Sequence, residues 1–360
     1  MHFSTVSIST PPVSCPWHPP RRRTRVPLQP MVSSSPSPSP SPPHVVEDLR
    51  PFLQLFSDGS VIRFPDTFPP PSPPPDQPVV EWKDVVYDAS HNLKLRMYRP
   101  PADASSGSGK KNLPVLVYFH GGGYVLGSFE KPNFHACCLR LAGELPAIVL
   151  SADYRLAPEH RLPSAFDDAE TALSWLRSQA AAAADENVAD PWLAESADFG
   201  RAFLCGDSSG GNIVHHLAVR LGLGSLSLDP VRVAGCAMVG LIFGGVPEYD
   251  TLWRLALPLG STAKNQDHPL ANPFAPGNPA LDGVALPPML VLSAELDKQR
   301  GATADYVARL KAMGKTVELL EFEGQIHAFF YHEPYGDAGT GVVRAVKRFV
   351  FGDGGTAVSN

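Results

Sequence analysis

The sequence predicts an α/β protein built on one eight-stranded, mostly parallel sheet with helices on both faces. Apolar runs of strand length alternate with segments of helix length along the chain, which is the pattern of this class. A proline-rich arm occupies the N-terminus, and the remaining roughly 300 of the 360 residues suit one large core. Glycine-rich and polar motifs follow several of the runs, at the strand ends where open α/β sheets place their sites.

Eight runs are the candidate strands of this sheet. A short turn separates the first two, so we expect that pair to be antiparallel. In chain order the runs are residues 79–87, 93–98, 113–119, 147–154, 202–205, 233–241, 289–293 and 317–322.

The first 46 residues differ in composition from the rest. They contain arginines and a Ser-Pro repeat at 33–43, and no acidic residue precedes Glu47. Such a start resembles an organelle transit peptide, and its prolines favour a plastid over a mitochondrion. The alternative is a disordered extension with Met31 as the initiator, which leaves the cytoplasm as the default location. We expect one domain over residues 47–352 and a flexible tail over 353–360.

Charge and cysteine content narrow the function classes. The net charge of −6 comes without a basic stripe, so no nucleic-acid partner is expected. No apolar run reaches the roughly 18 to 20 residues that span a bilayer. The cysteines are odd in number and lack the spacing of a disulfide framework or a metal site, which favours a reducing compartment and predicts no metal or cofactor. They are Cys15, Cys137, Cys138, Cys205 and Cys236.

A candidate nucleophile lies in the pentapeptide GDSSG at residues 206–210. The motif follows the apolar run at 202–205 and opens a helix-like segment at 212–220. Strand, sharp turn and helix are the context of a nucleophile elbow, whose glycines avoid collisions with neighbouring backbone. We therefore interpret Ser208 as the nucleophile of an acyl-transfer reaction.

An oxyanion hole is predicted upstream, where HGGGY ends the run at 113–119. Bare glycine backbone can approach a substrate and direct N–H groups at the developing negative charge. The N–H of Ser209, next to the nucleophile, would add a donor. His120, Gly121 and Tyr124 would support the loop or line the pocket.

The acid and the base of a catalytic triad should follow the nucleophile in that order. Asp297 comes after the apolar run at 289–293, and Glu295 is the competing carboxylate. His327 follows the last run, in the segment GQIHAF. It would take the proton from Ser208 and return it to the leaving alcohol, while Asp297 orients the imidazole.

These motifs resemble the plant carboxylesterases of the hormone-sensitive-lipase branch of the α/β-hydrolases. The likeness runs from about residue 45 to about residue 350 and includes YRLAPEH at 154–160, the N-terminal segment 52–63 and the stretch 253–273. It implies the α/β-hydrolase fold with an N-terminal lid, with lid segments at about 47–78 and 250–275. It also implies an oxyanion hole formed by Gly122, Gly123 and Ser209, with Gly121 as a turn residue.

The resemblance implies a serine carboxylesterase acting on a small-molecule ester. Relatives in this branch include a dehydratase of hydroxyisoflavanones, enzymes that form lactones by intramolecular acyl transfer, and the gibberellin receptor, which lacks the catalytic histidine. The presence of His327 disfavours a receptor. Tyr124 and Ser209 stand where Phe and Ala are common, so we expect their hydroxyls to lie near the scissile bond and to favour polar esters. The sequence leaves the natural substrate and the oligomeric state open.

Two further patterns have ordinary interpretations. Residues 261–264 match the SxxK of β-lactamase-like enzymes but lack that family's other motifs. His215 and His216 point apart on a helix and have no third ligand for a metal.

Overall fold

The computed structural model describes residues 42–65, 68–74, 76, 78–100, 112–183, 189–261 and 264–352. The chain from Pro43 onward forms one compact unit. The transit peptide or disordered extension was predicted for residues 1–46, but a strand already begins at Val45. Residues 1–41, with Cys15 and the candidate initiator Met31, and the tail at 353–360 lie outside the described residues.

An eight-stranded sheet forms the centre of this unit. Its strands are β4 (Glu81–Asp88), β5 (Leu93–Arg99), β6 (Leu113–Phe119), β7 (Ile148–Ala152), β8 (Ala197–Asp207), β9 (Val233–Val239), β10 (Met289–Ala294) and β11 (Val317–Phe322). Their spatial order is β11-β10-β9-β8-β6-β7-β5-β4. β5 runs antiparallel to β4 and β7, and the other neighbouring strands are parallel.

Helices cover both faces of the sheet, because successive residues of its strands face opposite ways. In β6, Val115 and Val117 pack into the apolar core on one face of the sheet, whereas Leu116 and Tyr118 pack into the core on the other face. The helices are α1 (Pro132–Glu144), α2 (Ser164–Ala182), α3 (Pro191–Ser196), α4 (Ser209–Gly222), α5 (Asp250–Ala256), α6 (Arg300–Ala312), α7 (Phe329–His332) and α8 (Asp337–Phe351).

The predicted fold class is confirmed, including the antiparallel first pair of strands. Each of the eight apolar runs corresponds to one strand, and the runs at 113–119 and 317–322 have the same bounds as β6 and β11. The strand predicted at 202–205 is longer, because β8 begins at Ala197 in a half-buried stretch that contains Asp198 and Arg201.

The sequence analysis did not predict a second, three-stranded sheet near the N-terminus. It consists of β1 (Val45–Leu49), β2 (Leu53–Phe56) and β3 (Val61–Arg63), paired antiparallel in that order. These strands are short and mostly exposed or half-buried, and Leu53 is their one fully buried side chain. They therefore lack the apolar runs by which the main strands were recognised.

Of the adjacent histidines of α4, His215 is buried in the core and His216 is half-buried beside it. His215 lies 2.9 Å from the Tyr306 hydroxyl, and His216 donates through Nε2 to the Leu270 carbonyl oxygen at 3.2 Å. Burial lowers the pKa of His216 from 6.5 to about 4. His216 therefore becomes protonated below about pH 6.5 in the unfolded chain but only below about pH 4 in the folded protein. Between these two pH values, a fall in pH lowers the free energy of unfolding.

We predict that His216→Gln reduces the acid sensitivity of folding. Glutamine keeps a donor for Leu270 but does not take up a proton on unfolding. The loss of unfolding free energy between about pH 7 and about pH 4.5 should shrink by roughly 2 to 3 kcal/mol in this variant. Urea denaturation at both pH values measures it, with exposed His160→Gln as the matched control. Equal losses in His216→Gln and the unaltered protein would contradict the expectation.

Candidate active site

Ser208 lies at the sharp turn between β8 and α4. Its backbone has φ 52° and ψ −117°, an unusual conformation for a residue with a side chain. A Cβ at Gly206 would lie 2.5 Å from the backbone of Gly210, and one at Gly210 would lie 1.9 Å from the Phe119 carbonyl oxygen. Only glycine fits at these two positions, so the pentapeptide folds as the elbow that its sequence predicts.

The side chains of Ser208, His327 and Asp297 form one hydrogen-bonded chain. Ser208 Oγ lies 2.9 Å from His327 Nε2, and His327 Nδ1 lies 2.7 Å from Asp297 Oδ2. The Asp297 side chain is 2% exposed and that of His327 is 23% exposed. The histidine thus faces the site opening while the carboxylate behind it is shielded from water, which is the arrangement a general base requires.

Two residues outside the predicted site hold the second oxygen of Asp297. The Gln299 backbone N–H donates to Oδ1 at 2.9 Å, and the Tyr249 hydroxyl lies 3.4 Å from the same atom. The Gln299 side chain is itself fixed, because its amide donates to the Phe243 carbonyl oxygen at 3.0 Å. Burial and the Asp297 charge raise the pKa of Tyr249, so its phenol stays protonated and acts as a donor.

Glu295, the competing carboxylate, lies away from this hydrogen-bonded chain. Its Oε2 accepts the Gly324 backbone N–H at 2.8 Å and so fixes the turn that follows β11. That turn leads into the loop of His327. The structure therefore brings Asp297, and not Glu295, to the imidazole.

The glycine loop lies directly beside the nucleophile. A Cβ at Gly121 would lie 3.0 Å from the Ser208 Cβ. Gly122 and Gly123 have φ values of 113° and 61°, in the region that favours glycine. The loop is closed by the Val125 and Leu126 N–H groups, which donate to the Gly122 carbonyl oxygen at 3.1 and 3.0 Å. Ser209, the residue after Ser208, is the first residue of α4, so its N–H lies at the N-terminus of that helix.

His120 supports this loop from the interior. Its ring is fully buried, stacks on the Tyr154 ring at 4.3 Å between centroids, and donates through Nδ1 to the Gly121 carbonyl oxygen at 2.8 Å. Its Nε2 lies 3.5 Å from the Asp153 carboxylate. The Gly121 N–H donates to Asp207 Oδ1 at 3.0 Å, which is consistent with a turn residue.

The expectation that the Tyr124 and Ser209 hydroxyls lie near the scissile bond is wrong. Tyr124 is 1% exposed, and its hydroxyl donates to Asn212 Oδ1 at 2.6 Å inside the core. The Ser209 side chain is fully buried next to the Tyr154 hydroxyl. The Ser209 side chain therefore lies in the protein interior at the start of α4. Neither hydroxyl supports a preference for polar esters.

The two segments predicted to form a lid are tied to the core and to each other. Arg63 of β3 forms a bidentate ion pair with Glu159, at 2.6 and 2.7 Å, and donates to the Val125 carbonyl oxygen beyond the glycine loop at 2.9 Å. Arg254 of α5 pairs with Glu47 of β1 through two contacts of 3.0 Å. The segment YRLAPEH therefore connects the glycine loop to the N-terminal sheet.

α5 reaches both halves of the site. Tyr249, just before the helix, packs its ring against His327 with centroids 5.4 Å apart. One turn later, the side chain of Leu252 lies 2.9 Å from where a Cβ of Gly123 would be. The outer side of α5, with Asp250 and Arg254, lines a cavity of about 780 Å³ together with β1, β2 and residues 257–261 and 264–266. Its lining, as far as the described residues go, includes no residue of the triad or the glycine loop.

Three further partners of the site were not predicted from the sequence: Asp207, Gln299 and Tyr249. Asp207 occupies the first variable position of GDSSG, and Gln299 comes two residues after Asp297. Their closeness in sequence to predicted catalytic residues was the signal that could have identified both. No sequence signal connects Tyr249 to Asp297, since 48 positions separate them.

The described part of the chain contains no cluster of three or more His, Cys, Asp and Glu side chains arranged to hold a metal ion. Over the same residues, no helix has the length and apolar character needed to cross a bilayer.

Comparison with known proteins identifies the family. The profile of the α/β-hydrolase fold matches residues 116–331. The chain is 35% identical to tuliposide A-converting enzyme 2, chloroplastic, of Tulipa gesneriana, over 92% of this chain and 85% of that protein. It is 30% identical to probable carboxylesterase 13 of Arabidopsis thaliana, over 86% and 98%. A solved structure of a hyperthermophilic esterase from Pyrobaculum calidifontis superposes with a TM-score of 0.59 at 29% identity, covering 76% of this chain and 86% of that one.

These likenesses confirm the resemblance that the motifs indicated. The relatives match at least 86% of the chain, and the esterase structure superposes over 76% of it. The chain therefore belongs to the α/β-hydrolase family, as a carboxylic ester hydrolase of the branch that contains the plant carboxylesterases.

Proposed function

We propose that the protein hydrolyses carboxylic esters of small molecules through a covalent acyl-enzyme on Ser208. The observation that carries this proposal is the continuous chain from Ser208 Oγ to His327 Nε2 at 2.9 Å and from His327 Nδ1 to Asp297 at 2.7 Å. These lengths suit proton transfer from the serine and stabilisation of the imidazolium that results.

In the first half of the reaction, Ser208 Oγ attacks the ester carbonyl carbon while His327 Nε2 takes the hydroxyl proton. The negative charge on the carbonyl oxygen is stabilised by the N–H groups of Gly122, Gly123 and Ser209. His327 then gives its proton to the leaving alcohol as the acyl-enzyme forms. Each such N–H donor typically contributes about 3 kcal/mol to stabilising the transition state.

In the second half, water replaces the alcohol. His327 Nε2 removes a proton from the water, the resulting hydroxide attacks the acyl carbon, and Ser208 leaves with the proton that His327 returns. An intramolecular acyl transfer would use the same acyl-enzyme but with a hydroxyl of the bound acyl group in place of water. The two reactions therefore differ only in the acceptor, and product analysis separates them.

The lid proposal concerns the N-terminal sheet and the segment around α5. Tyr249 and Leu252 lie over His327 and Gly123, so this segment would cover a bound ester from above. The pairs Arg63–Glu159 and Glu47–Arg254 would hold the cover in place. The Tyr249 ring and the Leu252 side chain are largely apolar, which favours an ester with an apolar part beside the carbonyl.

A plastid is the proposed location. The acid-free, arginine-bearing N-terminus is typical of transit peptides, and relatives at 34 to 35% identity are named as chloroplastic or amyloplastic. Import of the full chain into isolated chloroplasts tests this proposal, and a chain that stays outside and uncut would count against it.

We predict that Ser208→Ala abolishes hydrolysis of p-nitrophenyl esters. Without the nucleophile, kcat should fall at least about 10⁴-fold across a series from acetyl to long acyl chains. Labelling by a fluorophosphonate should also disappear. The matched control is Ser261→Ala, which changes an exposed serine and should keep full activity. A folded protein that is inert towards every ester and unlabelled would refute the proposed function.

We predict that Asp297→Asn lowers kcat about 10⁴-fold, because an amide fixes the wrong tautomer of His327. Glu295→Gln should leave kcat within about threefold, since this carboxylate only accepts a turn N–H. Initial rates on p-nitrophenyl acetate measure both. The reverse ranking of the two variants would assign the acid to Glu295.

A further inference from the structure

The first three backbone carbonyl oxygens of the glycine loop accept hydrogen bonds, whereas two of its N–H groups donate to none of the described residues. The His120 carbonyl oxygen accepts the Tyr154 hydroxyl at 2.8 Å, and the Gly121 carbonyl oxygen accepts His120 Nδ1 at 2.8 Å. The Gly122 carbonyl oxygen accepts the N–H groups of Val125 and Leu126. Over the described residues, the N–H groups of Gly122 and Gly123 find no acceptor. Gly123 is buried and Gly122 is half-buried, and such backbone donors are rarely left in this state unless water or a ligand completes them.

One further N–H, that of Gly121, is held by Asp207. Asp207 Oδ1 accepts this N–H at 3.0 Å and also accepts the Tyr118 hydroxyl at 2.6 Å. A Cβ at Gly121 would lie 2.4 Å from Asp207 Oδ2, so the carboxylate fills the space beside the glycine and leaves the loop no room to shift towards it. Asp207 is almost completely buried, and burial raises its pKa.

The placement of Asp207 connects the loop to the nucleophile. Asp207 is the last residue of β8 and precedes Ser208, whose own N–H donates to the Val239 carbonyl oxygen at 2.8 Å. Tyr118 lies on the neighbouring strand β6, where it pairs with Cys205 in the parallel register. The same strand end therefore fixes both the serine and the loop that must face its substrate.

We propose that Asp207 is the positioning residue of the oxyanion hole. By holding the Gly121 N–H, it keeps that donor out of the hole and aims the N–H groups of Gly122 and Gly123 at the oxygen of the tetrahedral intermediate. Tyr118 orients the carboxylate. This inference rests on the proposed function, because it assigns a task within that reaction.

The test is a set of variants at two positions. Asp207→Ala removes the acceptor and should lower kcat about 100-fold, with KM within about threefold, because the donors act mainly in the transition state. Asp207→Asn should stay within about tenfold of the unaltered protein, since an amide oxygen accepts the same two hydrogen bonds. Tyr118→Phe should lie between the two, because it loosens the carboxylate without removing it.

A trifluoromethyl ketone supplies the second readout. It forms a hemiketal oxyanion on Ser208, so its inhibition constant should rise in the variants in proportion to the loss of kcat/KM. A residue that only stabilises the fold would lower the thermal midpoint and the active fraction, and would leave the ratio of inhibitor affinity to KM unchanged. Should Asp207→Ala fail to fold, kcat and the inhibition constant are compared between Tyr118→Phe and Asp207→Asn instead.

The outcomes separate this inference from the proposed function. An active protein in which Asp207→Ala keeps kcat and inhibitor affinity within about threefold would overturn the role of Asp207 alone. A protein that neither hydrolyses esters nor binds the ketone would overturn the proposed function and this inference with it. A graded loss of kcat and inhibitor affinity, largest in Asp207→Ala, is the expected result.

Discussion

The backbone of α4 lies so close to the end of β6 that no side chain fits between them. A Cβ at Gly210 would approach the Phe119 carbonyl oxygen to 1.9 Å, and Phe119 pairs with Gly206 in the sheet register. This contact brings the residue after Phe119, and with it the glycine loop, alongside Ser208. The same turn requires the unfavourable positive φ of Ser208, and the surrounding sheet and helix hold the residue in that conformation. Nucleophile and loop are therefore neighbours because of backbone packing.

Buried polar contacts then fix what this packing brings together. The segment YRLAPEH illustrates this, since its residues serve the framework: the Tyr154 hydroxyl holds the His120 carbonyl oxygen, and Arg155 forms a bidentate pair with Asp168. The Asp168 side chain is 2% exposed, and removing one partner of such a pair would leave a buried charge uncompensated. These residues touch no reacting atom, yet Tyr154 holds the start of the glycine loop in place.

Much of the fold and site could be predicted because the signals are local. The apolar runs of β6 and β11 have the bounds of the strands, and the order of elbow, acid and histidine follows from strand ends that meet at one edge. The three-stranded N-terminal sheet escaped prediction because its strands are short and half-exposed. The direction in which side chains point was not predicted either. Tyr124 lies in the expected loop, but its hydroxyl donates to Asn212 in the core. Proximity along the chain does not determine which way a side chain points, because that depends on the packing partner.

The forces that hold the triad and those that hold its cover differ in strength. Asp297 and His327 are fixed by strand ends and buried hydrogen bonds, whereas the N-terminal sheet is joined to α5 by Glu47 and Arg254, whose side chains are 27% and 55% exposed. An ion pair exposed to this degree contributes only about 0 to 1 kcal/mol. Breaking this one ion pair therefore costs little, while displacing the triad would break several buried contacts. Tyr249 belongs to both parts, since it precedes α5 and contacts Asp297 and His327, so the cover and the catalytic base meet at this one residue.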